Sequence, residues 1–256
     1  MLRQRLIFTL IYKDGFFYQS RNFRLQRVGN LKWLERNYKF KEIAFSLDEI
    51  VVLNTSATQE SLKEFASTLS SLVDGVFIPI AAGGYIRKME DAKLLFENGM
   101  DKIVINTILH SNKELVKELV EYYGSQSVLA SIDYRLVDGV ATVYVENSKS
   151  NTFKTLESYV KEVEKLGVGE IYLNSIDQDG TGFGYDLESV RIIAKEVSIP
   201  LIIAGGAGNE KHFEEGLSLI GINAVATANL FNFIGDGLPN ARKAILNKGF
   251  NIASWS

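Results

Sequence analysis

A repeat that spans about half of the chain constrains the fold more than any other feature of this sequence. The stretch Ile78–Gly84 is a short apolar run that ends in paired glycines, and it returns as Ile199–Gly206. Its prolines, Pro79 and Pro200, lie 121 positions apart. Each copy predicts a buried parallel strand that leads into a tight turn and then into a helix.

The repeat predicts a closed barrel. The same offset joins Glu49-Ile50 with Glu170-Ile171, at the starts of two further predicted strands. Each half reads as four units of a strand followed by a helix, so the chain has eight units. The simplest closed arrangement is a (β/α)8 barrel, for which 256 residues is a typical length. We therefore predict one α/β TIM-barrel domain, residues 1–256, built from two half-barrel repeats.

Composition excludes several classes of protein. The net charge is −3 and the basic residues are scattered, so nothing indicates binding to nucleic acid. The chain has no cysteine, which excludes disulfides and thiolate metal sites and is typical of the cytoplasm. No apolar run is long enough to span a membrane, and His110 and His212 form no metal-spaced motif. We expect a cytoplasmic protein without a metal or a cofactor.

Two long segments interrupt the alternation of strands and helices. The first, Lys13–Asn30, is rich in arginine and aromatic residues. It predicts either a mobile loop that closes over an anionic substrate or a solvated two-stranded excursion. The second, Tyr134–Asn151, predicts a hairpin that turns at Asp138-Gly139.

The ends of the predicted strands suggest two anion sites. In this fold the active site lies at the C-terminal ends of the strands, and the loops after strands seven and eight often bind phosphate. Gly205-Gly206 and Ala228-Asn229 occupy those loops. By the repeat, Gly84 with Asn106 and Thr107 predicts a second anion site on the opposite side, and two such sites imply a long substrate with a phosphate at each end. Close packing of strand and helix explains one glycine pair equally well.

Acidic residues at the same end are candidates for chemistry. Asp133 ends an apolar strand inside the barrel mouth, where burial tunes a carboxyl group for proton transfer. The alternative is a structural carboxylate that caps a loop. Asp179-Gly180-Thr181, in the loop after the sixth predicted strand, adds further substrate-binding candidates.

Charged residues cluster at the other end of the barrel. Four predicted strands begin with a charged residue, and these strands are the first, second, fourth and sixth. Side chains that point into the barrel there would form a ring of two cations and two anions, which is costly unless they pair. The ring is either a salt-bridged plug or a gate over a channel. Its members are Arg5, Glu49, Lys102 and Glu170.

Over essentially its whole length, the chain resembles the cyclase (synthase) subunit family of imidazole glycerol phosphate synthase. Many short motifs, in the same order, carry the resemblance. They are Met1-Leu2 with Arg5, Lys13-Asp14-Gly15, Asn22-Phe23, Phe77-Ile78-Pro79, Gly83-Gly84 with Ile86-Arg87 and Glu90-Asp91-Ala92, Asp101-Lys102 with Ile105-Asn106, Gly124-Ser125-Gln126, Ile132-Asp133, Asp179-Gly180-Thr181 with Gly184-Tyr185-Asp186, and Gly205-Gly206.

The resemblance implies a partner and a path for ammonia. In that family the barrel binds a glutaminase subunit at its N-terminal face, and Asp101 matches a contact position. Ammonia enters through a charged gate, whose four positions match the charged ring here. It crosses the barrel and reacts with a bisphosphorylated ribonucleotide to give imidazole glycerol phosphate.

The sequence departs from the family at the catalytic face. The family pairs two aspartates for acid–base work, and Asp133 matches the second, but Ile11 stands at the first. An isoleucine neither donates nor accepts a proton, so cyclisation loses half of its machinery. A typical lysine is replaced by Gln19, a third glycine by Tyr85, and a phosphate-site serine by Asn229.

Three hypotheses follow. The pattern is similar to divergent paralogues that are found beside surface-polysaccharide genes, where such a pair of subunits is thought to supply ammonia to a sugar amidotransferase. The second hypothesis is a genuine cyclase of histidine synthesis in which another group, such as Asp14, replaces Ile11. The third is a non-catalytic scaffold that activates the glutaminase.

Overall fold

The computed structural model describes residues 3–38, 40–43, 45–56, 58–74 and 76–254. Met1 and Leu2, quoted above for the family resemblance, and Lys39 in the first predicted helix lie outside these ranges. The elements in chain order are β1 (Arg5–Lys13), β2 (Phe16–Arg21), β3 (Arg24–Gly29), α1 (Leu31–Tyr38), α2 (Phe40–Ile43), β4 (Glu49–Asn54), α3 (Gln59–Val73), β5 (Ile80–Gly83), α4 (Met89–Glu97), β6 (Lys102–Ile105), α5 (Thr107–Ser111), α6 (Lys113–Tyr123), a 3-10 turn (Ser125–Ser127), β7 (Val128–Val137), β8 (Val140–Val145), β9 (Ser150–Thr155), α7 (Leu156–Glu164), β10 (Glu170–Ser175), α8 (Leu187–Ile193), β11 (Leu201–Ala204), α9 (Glu210–Leu217), β12 (Ile222–Thr227) and α10 (Gly237–Asn247).

Eight parallel strands close into a barrel. They are β1, β4, β5, β6, β7, β10, β11 and β12, and each pairs with the next around the ring. The pairing of β12 with β1, where Arg5 lies opposite Ala224, completes the circle. Strand β7 pairs with β10 directly, so β8 and β9 stand outside the circle. The fold is the predicted TIM barrel of the α/β class.

The barrel strands alternate between an inner and an outer apolar face. Outer residues of the strands pack against the helices. In α3 the buried residues recur at helical spacing; they are Leu62, Phe65, Leu69 and Leu72. Thr58 begins that helix, since its side chain accepts a hydrogen bond from Ser61 N at 3.1 Å. The inner residues line the lumen, which is the space that the strands enclose.

Proline sets the start of both repeated strands. The repeated runs Ile78–Gly84 and Ile199–Gly206 each contain the predicted strand, and β5 and β11 begin one residue after Pro79 and Pro200. Each proline carbonyl accepts a hydrogen bond from the neighbouring strand, Pro79 O from Ile50 N and Pro200 O from Ile171 N, both at 3.0 Å. Neither proline has an N–H to donate, so regular pairing starts at the following residue.

Both long excursions are antiparallel hairpins. Strands β2 and β3 pair with each other and β2 with the end of β1, which is the two-stranded alternative for Lys13–Asn30. Strands β7 and β8 form the predicted hairpin at Asp138-Gly139, where φ is 49° and 79°. No helix among the described residues is long and apolar enough to cross a membrane.

Candidate functional site

The four charged residues at the strand starts form a closed ring at the N-terminal end of the lumen. Arg5 Nη1 lies 2.7 Å from Glu49 Oε2 and 3.2 Å from Glu170 Oε1. Lys102 Nζ lies 3.1 Å from Glu49 Oε1 and 3.4 Å from Glu170 Oε2. Each cation therefore contacts both anions, and the charges balance. We call this set the N-terminal ring.

Burial makes the N-terminal ring sensitive to the loss of a partner. Glu49 is only 1% exposed. Burial raises the pKa of Glu49, and the charges of Lys102 and Arg5 act in the opposite direction. Removing either cation would leave a buried carboxylate with one partner, a change that commonly costs several kcal/mol. A plug and a gate both require this closed pairing.

The lumen above the ring is apolar, with one polar contact near its middle. Thr9 Oγ1 and Tyr172 OH are 2.8 Å apart and both are buried. Strand β10 presents Glu170, Tyr172 and Asn174 at successive levels of the lumen, because alternate residues of a strand share a face. Burial raises the pKa of Tyr172, so its hydroxyl stays protonated. The apolar residues of the lumen are Ile7, Val51, Ala81, Val104, Leu129, Ile202, Ala204, Ala224 and Ala226.

Asp133 lies at the C-terminal end of the lumen with an amide on each carboxylate oxygen. Asn106 Nδ2 donates to Oδ2 at 2.9 Å, and Asn174 Nδ2 donates to Oδ1 at 3.1 Å. Burial raises the pKa of Asp133 to about 7, although the two amide hydrogen bonds act to lower it. A fixed carboxyl group with a pKa near neutrality is suited to give or take a proton.

Ile11, which the resemblance aligns with the family's other aspartate, lies at the same mouth. It is 9% exposed and lines the same cavity as Asp133. Asp14, the proposed substitute, is exposed and accepts a hydrogen bond from Ser56 Oγ at 2.7 Å. It is not among the described residues that line the cavity, where the carboxylates are Asp133, Glu146 and Asp179. The geometry therefore gives no support to Asp14 as the second acid–base group.

Asp179 holds the β2–β3 hairpin against the barrel. Its carboxylate accepts hydrogen bonds from Ser20 Oγ and, at 2.9 Å, from Phe23 N. Its carbonyl oxygen accepts from Asn22 N at 2.9 Å. Burial raises the pKa of Asp179, and the bonds from Ser20 and Phe23 act to lower it. Predicted as a substrate contact, Asp179 lines the cavity and also fixes this turn.

The repeated glycines are required by packing alone. A Cβ on Gly84 would lie 2.0 Å from Asn54 O, and one on Gly206 would lie 1.9 Å from Gly184 O. Both residues have positive φ, 114° and 106°. Tyr85 follows Gly84 with φ 61°, a conformation that is uncommon for a bulky side chain. The glycines thus fit the close-packing alternative, and their role in anion binding stays a prediction.

One cavity of about 540 Å³ brings most of the predicted site residues together at the C-terminal end of the barrel. Thr181 is not part of its described lining; the Thr181 hydroxyl donates to Gln178 O at 2.8 Å and shapes the turn. Asp101 is exposed at the opposite end, where its carboxylate accepts from Ile80 N at 2.8 Å. The predicted residues that line the cavity are Gly84, Asn106, Thr107, Asp133, Asp179, Gly180, Gly205, Gly206, Ala228 and Asn229.

The sequence did not single out several residues that the structure places in the lumen or the cavity. Tyr172 and Asn174 could have been found, because they alternate with Glu170 along one strand. Lys149 could not, since it reaches the mouth through the tip of the β8–β9 hairpin. The arginines of the β2–β3 hairpin, which suggested a cationic loop over the substrate, are absent from the described lining.

Comparison with known proteins places this geometry in a family. Residues 32–235 match the model of the histidine biosynthesis protein family. A protein of Parasynechococcus marenigrum (strain WH8102), named "Putative imidazole glycerol phosphate synthase subunit hisF2", is 41% identical over 256 residues, covering 100% of this chain and 95% of that protein. The HisF subunit of imidazole glycerol phosphate synthase from Thermotoga sp. (strain RQ2) is 35% identical, with 98% of each chain covered. The HisF subunit from Pyrobaculum aerophilum is 38% identical over 205 residues, covering 80% of this chain and 81% of that protein. The chain belongs to the histidine biosynthesis protein family, among the HisF-like subunits of imidazole glycerol phosphate synthase.

Proposed function

We propose that this barrel receives ammonia from a glutaminase subunit and conducts it to the C-terminal mouth, for amidation of a surface-polysaccharide sugar by a separate amidotransferase. The observation that carries the proposal is the contrast between the two ends of the lumen. The N-terminal ring is complete and paired, whereas Ile11 stands where the family pattern would place the second aspartate of the acid–base pair with Asp133. A barrel that only delivers ammonia needs the N-terminal ring but does not need an acid–base pair at the C-terminal mouth.

The lumen suits a small neutral molecule. Its apolar wall disfavours an ion, since a charge without a partner in a dry interior is costly. Several inner positions are alanine, and the Thr9 and Tyr172 hydroxyls would offer ammonia one polar contact between the ring and Asp133. Because the pKa of Tyr172 is raised, the hydroxyl would not transfer its proton to ammonia.

The N-terminal face supports the docking of a partner. Phe45 and Phe77, in the loops before β4 and β5, are 66% and 87% exposed, and Asp101, directly before β6, is exposed as well. Exposed aromatic side chains of this kind are enriched in protein interfaces. The relatives named above are described as subunits, which agrees with a partner chain. We propose that the glutaminase covers this face and opens the N-terminal ring.

The alternative function is cyclisation, as in a genuine imidazole glycerol phosphate synthase. The raised pKa of Asp133 favours it, because that group is ready for proton transfer. In the cyclase hypothesis, Asn106, Thr107 and the residues around Gly205 and Asn229 would bind a phosphorylated ribonucleotide.

One experiment distinguishes ammonia delivery from cyclisation. The barrel is mixed with its glutaminase, glutamine and the histidine-pathway ribonucleotide, and glutamate and imidazole glycerol phosphate are measured separately. We expect glutamate without imidazole glycerol phosphate, because Ile11 cannot replace an acid or a base. Imidazole glycerol phosphate formed at an enzymatic rate, on the order of 1 per second or faster, would establish the cyclase and contradict the proposal.

A further inference from the structure

Positive charge is confined to one arc of the cavity rim. Lys13, Arg87 and Lys149 are the cations among the described residues that line the cavity. Within the described part of the chain, none of their side chains forms an ion pair or a hydrogen bond to protein. Arg87 lies 5.6 Å from the centre of the Tyr85 ring, a cation–π contact that leaves its N–H groups free. Three unpaired cations that face one cavity indicate an anionic ligand.

Contacts across the rim bring these three side chains into one arc. Lys13 is the last residue of β1. Thr55, which directly follows β4, is bonded to β1, because Thr55 N donates a hydrogen bond to Tyr12 O at 2.9 Å. The tip of the β8–β9 hairpin reaches the same place, because Asn147 Nδ2 donates to Thr55 O at 3.4 Å. Strand β5, which precedes Arg87, pairs with β4 directly. The arc therefore spans the ends of β1, β4 and β5.

On the opposite arc, the described lining after β11 and β12 contains no lysine or arginine, and the backbone N–H groups after β12 are already hydrogen-bonded. Four successive backbone N–H groups there have side-chain partners from the chain itself. Asn229 N donates to Thr227 Oγ1 at 3.2 Å, and Leu230 N donates to Gln19 Oε1 at 2.8 Å. The next two N–H groups, of residues 231 and 232, donate to Asn229 Oδ1 at 3.2 and 3.0 Å. Gln19 and Asn229 thus occupy three of the four backbone donors that a phosphate in the loop after β12 would need.

We propose that the mouth takes a ligand with a single phosphate, held by Lys13, Arg87 and Lys149, and with an uncharged, hydroxyl-rich end against Gln19 and Asn229. A second phosphate at the β11–β12 arc would have to displace these amide oxygens, and no lysine or arginine in the described lining of that arc would compensate for its desolvation. The proposal rests on the proposed function only in placing the ligand in this mouth. It makes Gln19 and Asn229 the residues that determine specificity against bisphosphates.

Binding measured without glutamine or glutaminase tests the proposal. Inorganic phosphate, fructose 6-phosphate and fructose 1,6-bisphosphate are titrated into the intact chain, and backbone amide shifts are followed by NMR. We expect one phosphate per chain, with shifts at residues 84–88 and 107–108 and none at 229–232. The bisphosphate should bind within about threefold of the monophosphate. Shifts in both groups at a stoichiometry of two, or no binding of phosphate at all, would overturn the proposal.

Variants at each arc sharpen the result. Arg87→Gln should weaken phosphate binding about tenfold, since one charge-assisted contact is lost. Lys63→Gln removes an exposed, unpaired lysine on α3 and should change nothing. Combining Gln19→Lys with Asn229→Ser should raise bisphosphate affinity tenfold or more while monophosphate affinity stays the same. Equal weakening by Arg87→Gln and Lys63→Gln, or no gain in the double variant, counts against the assignment. Because no ammonia is involved, either failure leaves the proposed ammonia delivery standing.

Discussion

At the residue scale, the environment of Asp133 determines what chemistry the mouth retains. Burial and the amides of Asn106 and Asn174 act on its pKa in opposite directions, and burial dominates. In the family pattern a second aspartate would stand across the mouth, where this chain has Ile11. A single carboxyl group can move one proton but cannot act as acid and base on two sides of a substrate at once.

The pKa of Asp133 predicts a pH-dependent stability. Its value is about 7 in the folded chain against an ordinary 3.8, so the folded state holds a proton that the unfolded state releases. Between roughly pH 4 and pH 7 the contribution of Asp133 to the free energy of unfolding should fall as pH rises, by about 1.4 kcal/mol per pH unit. The stabilisation is fully present at lower pH and is lost once pH exceeds the folded pKa.

Asp133→Asn should remove the contribution of Asp133, because asparagine does not titrate, so its free energy of unfolding should fall less steeply with pH than that of the wild type. Urea unfolding at several pH values measures the slope for the wild type and the variant. Asp138→Asn, which changes an exposed carboxylate in the β7–β8 turn, is the matched control and should keep the wild-type slope. An unchanged slope in Asp133→Asn would show that another group carries the effect.

At the element scale, the β8–β9 hairpin is strained where it extends from the barrel. Phe153 in β9 has φ 57° although it is 89% exposed, so neither packing nor a glycine explains the conformation. Three consecutive residues at the hairpin tip, Glu146, Asn147 and Ser148, also have positive φ. Lys149 directly follows this tip and lines the cavity. The strained conformation therefore helps to place a cation that faces the ligand.

Phe153→Gly should raise the free energy of unfolding by about 0.5 to 1 kcal/mol, because glycine adopts positive φ without a steric cost. Phe183→Gly is the control: Phe183 is 84% exposed and has no positive φ, so its replacement should give no gain. Urea unfolding at a fixed pH measures both. Equal effects of the two substitutions would refute the assignment of strain to Phe153.

The strands and hairpins also show which structural features could be predicted from the sequence. The starts of β4 and β10, Glu49 and Glu170, were predicted correctly, because the apolar pattern and its repeat determine a buried strand locally. The charged ring was predicted for the same reason, since each member opens a strand. The confinement of the cations to one arc of the mouth was not predicted, because the contact of Asn147 with Thr55 is what brings the hairpin tip that carries Lys149 to the rim near the end of β1. Such a contact depends on the twist of a hairpin and has no local pattern.

At the scale of the whole molecule, the C-terminal end of the barrel differs more from the family pattern than the N-terminal end does. The N-terminal ring keeps all four charges in paired contact, and aromatic side chains stay exposed on the face around it. The C-terminal mouth has Ile11 where the resemblance places an acid–base group, Tyr85 beside the glycine turn, and the amide oxygens of Gln19 and Asn229 bonded to one predicted anion-binding loop. A chain that delivers ammonia and leaves the final chemistry to another protein accounts for both ends.

The most direct test follows the source of the transferred nitrogen. The barrel, its glutaminase and the sugar amidotransferase are supplied with glutamine labelled with ¹⁵N in its amide group and with an excess of unlabelled ammonium. We expect an amidated sugar that carries mainly ¹⁵N. Lys102→Ala breaks the N-terminal ring and should lower the ¹⁵N content of the product toward that of the bulk ammonium. Lys63→Ala should leave the ¹⁵N content high. A wild-type product whose label equals that of the bulk ammonium would contradict conduction through the barrel.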